Sequence, residues 1–255
     1  MKLAALAPIL ACAACAHALR TPPPLEKIAP APQAGAQELL ARADETWSRR
    51  ADPAQAGLAE QLYLEGARAD PRNAAAYAGA IRAKAFRIGR EKDGGKRGQL
   101  AADAVAVGQL CEQNAAPSPL CDYWLAAALG LQARERSATG HDALPHMVDL
   151  LRRAAGADPS VDRGGPHRLL AILFLRAPGW PLGPGDIEAA LPEAQAAVRI
   201  AADHPPNQLA LGEALRKNGH AAEAATAYAE ALRLASAVDD PDAAGWADEA
   251  RAALR

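Results

Sequence analysis

Few residues in this chain have the types and spacing that chemistry requires. Cys111 and Cys121 stand ten positions apart across a stretch that holds Pro117 and Pro119. In an oxidising compartment such a pair closes a disulfide worth about 2–3 kcal/mol through denatured-state entropy, while two buried free thiols are the other reading. His141, His146, His167, His204 and His220 are scattered, and no HExxH or paired CxxC accompanies them. The expectation is no metal site and no cofactor. The segment GREKDGGKR, residues 89–97, has glycines and a lysine, yet the glycines are out of register with a phosphate loop and no Ser or Thr follows the lysine. It reads as a solvated basic turn. No GxSxG nucleophile elbow is present, and the paired carboxylates Asp239-Asp240 fall where a helix start would use them as caps. The chemistry-bearing residues therefore predict a protein that is not an enzyme.

The N-terminus reads as an export signal. Met1 and Lys2 supply a short positive start, and residues 3–14 are almost wholly apolar, with small residues around Cys12 and Cys15. Signal peptidase I would cut after Ala16-His17-Ala18; a lipoprotein peptidase would cut before a cysteine that is then acylated. Cutting at Cys15 leaves Cys111 and Cys121 as an even pair, whereas cutting at Cys12 leaves a third thiol, so Cys15 is the favoured lipid site. Residues 1–15 are thus assigned to the signal. Residues 16–35, with Pro22-Pro23-Pro24, Pro30 and Pro32, cannot nucleate a helix and form a tether. Residues 36–255 are the folded body, exported to the periplasm and touching membrane only through its lipid. A net charge of −2 provides no positive field for phosphates, which argues against nucleic acid as a partner.

From Gln37 onward the chain is helix after helix, rich in Ala and Leu and broken by short Pro, Gly and Asp signals. About ten helices are expected. Ala-Asp-Pro recurs at residues 51–53, 69–71 and 157–159, with Ala202-Asp203-His204-Pro205 as a variant, and each proline disfavours helix in the residue before it. Pro53 and Pro71 lie 18 residues apart, close to the ~17 of one helix and turn in a two-helix repeat. The text LALGEALRKNGHAAEAATAYAEALRLAS carries Leu211-Gly212, Leu215, Gly219, Ala224, Tyr228 and Ala231, which resembles the tetratricopeptide (TPR) repeat. Gly212 and Ala224 permit close contact, Gly219 breaks the chain, and Tyr228 is expected to fill the gap to the next unit. Ala59, Tyr63, Gly66 and Pro71 mark a second unit; Met147, Leu151, Ala154 and Pro159 mark a third. One unit cannot bury its apolar face, so three or four must stack into an all-α, TPR-like solenoid with a concave surface.

One stretch exceeds what a minimal repeat needs. Gly164-Gly165-Pro166 is a turn with proline at the first helical position. The helix that follows, His167 to Arg176, is apolar nearly all round and must be buried. It ends in Pro178-Gly179-Trp180-Pro181, after which Gly183-Pro184-Gly185-Asp186 places Asp186 as the next helix cap. The set YWLAAALG (123–130), GGPHRLL (164–170), PGWPLGPGD (178–186) and LALGEALRKNG resembles the T-component of tripartite ATP-independent periplasmic (TRAP) transporters, over roughly Leu39 to Leu234. The resemblance implies an all-helical lipoprotein with no catalytic site. It also implies association with the transporter's substrate-binding protein, assembly as a homotrimer, and a central channel that admits a small hydrophobic ligand. It points to Gly164, Gly165, Pro166, Arg168, Pro178, Gly179, Trp180, Pro181, Gly185 and Asp186 as motif residues; capping and turn chemistry also explain most of them as braces of the loop. The alternative to a transporter accessory is a general TPR lipoprotein scaffold for envelope protein–protein interactions.

Overall fold

The computed structural model describes residues 35–135 and 141–255. The export signal, both lipidation candidates Cys12 and Cys15, and the tether up to residue 34 lie outside the described residues. Among the described residues there are eleven α-helices and no strand. They are α1 Ala36–Ser48, α2 Pro53–Ala69, α3 Ala74–Ile88, α4 Gly94–Ala115, α5 Pro119–Glu135, α6 Leu144–Ala157, α7 Gly165–Arg176, α8 Ile187–Ile200, α9 Pro205–Lys217, α10 Ala221–Ala237 and α11 Ala243–Ala253, with a 3-10 turn at His141–Ala143 before α6.

Local signals set the helix starts. Asp52, Asn73, Asp93 and Asp186 each accept a backbone N–H of the first turn they precede, and proline opens α2, α6, α7 and α9 where no donor is needed. The segment read as a basic turn is shorter than expected. Asp93 caps α4 through the Lys96 N–H at 2.8 Å, so Gly94 to Arg97 are helical, and Arg97 pairs with Glu135 rather than standing in solvent.

Consecutive helices pack as antiparallel pairs: α1 with α2, α3 with α4, α5 with α6, α7 with α8, and α9 with α10. Odd-numbered helices also touch one another, α3 with α5, α7 with α9 and α9 with α11. The odd helices form one layer and the even helices the other, as in a TPR superhelix. There are five pairs plus a terminal helix, more than the three or four units the sequence signals reveal, because the α3–α4 and α7–α8 pairs lack the aromatic on the second helix. One continuous core runs from α1 to Ala214 of α9; a second, smaller one joins α9, α10 and α11 around Tyr228 and Ala250.

Glycines facing tyrosines set the approach of neighbouring helices. A methyl added at Gly79 would fall 2.5 Å from the Tyr63 ring, one at Gly165 2.6 Å from Tyr123, and one at Gly212 2.7 Å from Tyr228. Tyr228 therefore sits over the first helix of its own unit, and it shares its core with Ala250 of α11, which follows. The ends of the superhelix also meet. Arg50, after α1, binds Asp240 at 2.6 Å, and Arg90, after α3, binds Asp242 at 2.9 Å and the Pro241 carbonyl at 3.1 Å. Asp240 also accepts the Asp242 N–H at 2.8 Å, and α11 begins at Ala243. The Asp239-Asp240 pair is thus not at a helix start, and Asp240 serves a long-range clasp.

Gly79→Ala should lose about 1–3 kcal/mol in urea unfolding, since overpacking against the buried Tyr63 ring outweighs the gain in helix propensity. Gly57→Ala, where a methyl meets nothing within 4 Å, should instead gain up to about 1 kcal/mol.

Candidate functional site

Helices α3, α5, α6 and α7 border an open-mouthed hollow of about 500 Å³. One wall is α5, whose inner face reads Ala126, Ala127, Gly130, Ala133: small residues at helical spacing, which leave space where larger side chains would fill it. The opposite wall is α7, through Leu169, Ile172 and Leu173, and Leu144 and Met147 of α6 close the floor. This explains the all-round apolarity of α7. Leu170, Ala171, Phe174 and Leu175 are buried in the core, while Leu169 and Ile172 stay partly open toward the hollow. Two half-exposed arginines stand at the rim, each beside a carboxylate: Arg134 with Glu135 at 3.2 Å and Arg176 with Glu213 at 2.6 Å. Hydrogen bonding to Glu213 holds the Arg176 pKa above its ordinary value. The site is apolar within and polar only at its lip, in the size range of small-molecule pockets.

Behind this hollow lies the Gly164-Gly165-Pro166-His167-Arg168 segment. Asp162, Arg163 and Gly164 take successive positive φ values of 48°, 58° and 86°, turning the chain sharply into α7. The turn aims the Asp162 carboxylate inward, where it accepts from the Arg168 guanidinium and from the Tyr123 hydroxyl. Arg168 further donates to Asn207 Oδ1 at 2.8 Å and lies 3.2 Å from the Tyr123 hydroxyl. The Asn207 amide, wholly buried, donates toward the Arg163, Ala197 and Ala201 carbonyls, each at 2.9 Å. The network thus joins α5, α7, α8 and α9. Burial opposes the Arg168 charge, but Tyr123 and Asp162 outweigh it and hold its pKa above the ordinary value. Burial likewise pushes the Tyr123 hydroxyl well up. His204, at the start of α9, is pushed down to about 4 by burial and then by the Arg168 charge. His167 points elsewhere, to Glu193 of α8 at 2.6 Å.

The Pro178–Asp186 corner is held by its own backbone. The Gly185 N–H donates to the Pro178 carbonyl at 2.8 Å, the Asp186 N–H to the Phe174 carbonyl at 3.0 Å, and the Leu182 N–H to the Gly179 carbonyl at 3.0 Å. Asp186 caps α8 through the Ala189 N–H at 2.9 Å. This fixed loop presents Trp180, 91% exposed, and Leu182, 77% exposed, beside the hollow that Pro178 borders. The motif residues therefore separate into two groups. Gly164, Gly165, Pro166 and Arg168 are interior and structural; Gly179, Trp180 and Pro181 are at the surface, with Pro178, Gly185 and Asp186 shaping the loop that carries them. Sequence reasoning missed Asp162 and Asn207 as partners of Arg168, and missed the small-residue face of α5, whose signal was the AAALG run itself. Cys111 of α4 and Cys121 of α5 are joined as a disulfide, with Cα atoms 5.3 Å apart. Among the described residues no three His, Cys, Asp or Glu side chains gather as a metal site, and no helix is long and apolar enough to cross a membrane.

No family model matches the chain, and neither does any curated protein. Among solved structures it is similar to TTC0263, a thermophilic TPR protein of Thermus thermophilus, with a TM-score of 0.62 and 18% identity over 86% of this chain and 100% of that one. MamA protein also aligns, with a TM-score of 0.45 and 16% identity over 78% of this chain and 93% of that one. The first likeness shows the fold: an all-α, TPR-like helical-repeat solenoid.

Arg168→Met should cost about 3–5 kcal/mol, because it strands the Asp162 carboxylate and the Asn207 amide, and should lower the thermal midpoint accordingly. The depressed His204 pKa contributes stability that is full above the unfolded value of about 6.5 and is lost as pH falls from there through about 4. Urea melts at pH 7.0, 5.5 and 4.0 should show stability falling progressively, and His204→Gln should flatten that part of the slope.

Proposed function

We propose that this protein is a non-catalytic, exported accessory component of a TRAP-type solute transporter, which docks the substrate-binding protein and receives a small apolar ligand in the hollow between α5 and α7. The observation that carries the reading is the hollow itself, about 500 Å³, walled by Ala, Gly, Leu, Ile and Met, and open beside two arginines. Such a site binds by excluding water from apolar surface. The rigid loop bearing Trp180 and Leu182 supports a docking role, since large aromatic side chains held without entropy to lose are the usual anchors of protein interfaces. The lipid at Cys15, the proline-rich tether and the periplasmic location belong to the same proposal, as does assembly into a homotrimer.

A second reading, a general TPR scaffold for envelope proteins, is favoured by one further feature. A smaller hollow of about 260 Å³ opens among α1, α3 and α5, with Asp44, Arg82, Trp124 and Asp162 on its walls. Its mixed charge and aromatic surface suit a peptide side chain better than a lipid-like guest.

Purification of the full chain from native membranes tests both readings. The first expects a solute-binding protein to co-purify and Trp180→Ala to reduce its recovery at least about fivefold with no change in folding. It also expects native mass spectrometry to find an apolar molecule that Ala127→Phe, by filling the hollow, excludes. Recovery of assembly or secretion clients and no solute-binding protein would replace the first reading with the second.

A further inference from the structure

Charge is distributed unevenly around the mouth of the hollow. At both places where an arginine stands on the lip, its side chain is more than half exposed while its carboxylate partner, Glu135 or Glu213, is mostly covered. The guanidinium is therefore the face that a guest meets. The two arginines differ in how fully they are used. Arg176 grips Glu213 with two bonds, from Nε at 3.3 Å and from Nη2 at 2.6 Å, and the Glu249 carboxylate acts on it as well. Arg134, among the described residues, donates from Nε alone, to Glu135 Oε1 at 3.2 Å. Glu135 holds Arg97 more closely, through Oε2 at 2.8 Å, and Arg97 is the main cause of the lowered Glu135 pKa.

Two guanidinium groups thus share one carboxylate at this part of the lip, and a positive charge is left over. It sits on Arg134, whose terminal amino groups have no acceptor among the described residues. What lies behind Arg134 is apolar. It ends a stripe of α5 that runs Ala127, Gly130, Leu131, Arg134, at i, i+3, i+4 and i+7, so the guanidinium closes a hydrocarbon wall about 10 Å long. A guest made only of hydrocarbon would gain by leaving water but would abandon these donors to solvent. One that ends in a carboxylate or a sulfonate fills the hollow and also gives the planar guanidinium two oxygens to grip.

We infer that the hollow takes an amphiphile, with its apolar body between α5 and α7 and one anionic head, a carboxylate or a sulfonate, received at the lip by Arg134. The inference rests on the reading of the hollow as a ligand site and names the class of its ligand. Arg97 is not among the residues that line the hollow, and it acts through Glu135: by occupying that carboxylate it keeps Arg134 available. Arg176, already held by Glu213, bounds the mouth and contributes less. A cationic head would meet a surplus charge of its own sign.

Displacement of the uncharged apolar dye N-phenyl-1-naphthylamine from the full chain tests this with three competitors that share one alkyl tail: decanoate, 1-decanol and decyltrimethylammonium. The quantity that reports the head group is the affinity for decanoate relative to 1-decanol, because the tail cancels. Arg134→Gln should lower that ratio about three- to fivefold at low salt, the factor an ion pair of this exposure is worth, and leave 1-decanol unchanged. Arg134→Lys should keep most of it. Arg97→Gln should lower the ratio in the same direction although it touches no guest, since Glu135 is then free to neutralise Arg134; Arg176→Gln should move it less. In the unmodified protein about 1 M sodium chloride should reduce the ratio by screening, and decyltrimethylammonium should be the weakest of the three competitors. A ratio equal in Arg134→Gln and the unmodified protein would overturn the anionic head, while displacement by 1-decanol would leave the apolar-ligand reading in place. Dye that never binds, or that Ala127→Phe fails to exclude, would remove both.

Discussion

Arg168 carries a charge on a residue only 7% exposed, and the geometry of the inner layer depends on how that charge is satisfied. A buried guanidinium without partners is untenable, so Asp162, Tyr123 and Asn207 must all be within reach at once. Those partners come from a loop, from α5 and from α9. Satisfying one side chain therefore fixes the relative placement of three successive odd-numbered helices. The positive φ values at Asp162, Arg163 and Gly164 are local costs that the network sustains, since this sharp turn brings the Asp162 carboxylate under Arg168 and starts α7 at Gly165. The wall of the hollow is then a consequence: α5 and α7 stand where Tyr123 and Arg168 place them.

Side-chain size does the remaining work, and does it in opposite senses along one face of α5. Where Gly165 meets Tyr123, a missing side chain lets helices close to contact and the aromatic ring fills the space. Further along, where Ala127 and Ala133 line the hollow with Leu169 and Ile172, no larger side chain fills the space, and a void remains. The same low aromatic content that lets Ala-rich helices approach one another thus also decides where they fail to fill. The Cys111–Cys121 bond ties the start of α5 to the end of α4, and Glu60 with Lys84 and Arg87 ties α2 to α3, so the wall is braced by cross-links that hydrophobic area alone would not supply.

Legibility from sequence followed the range of the interaction. Helix starts were readable because capping and proline act within three or four residues, as at Asp52, Asp93 and Asp186. The TPR-like units were readable where an aromatic marked the second helix, at Tyr63 and Tyr228, and unreadable in the α3–α4 and α7–α8 pairs, where Ala and Leu carry the packing without a marker. Of the site, the GGPHR and PGWP segments stood out as chemically unusual, yet their division into an interior brace and an exposed loop could not be foreseen. That division depends on Asn207 lying 39 positions from Arg168 and on Tyr123 lying 45 away. The clasp was less legible still: Asp239-Asp240 looks like a cap because capping is the commonest local use of such a pair, and its true partner is at the other end of the chain.

The hollow is the feature that stability does not explain. Ala127 and Ala133 on the α5 face end at a methyl beside the hollow, and a larger apolar side chain there would bury area of the kind whose removal from a packed core costs about 2–5 kcal/mol. Ala126 is already buried and Gly130 already lies against Met147, whereas those two positions both face one space. A chain shaped only to hold together would have filled them, and the same chain does fill the comparable space over Gly79, Gly165 and Gly212 with tyrosines. Within one molecule, then, a tyrosine over a glycine closes the Gly165 and Gly212 junctions, while between α5 and α7 an apolar hollow remains, bordered by Pro178 of the loop that exposes Trp180.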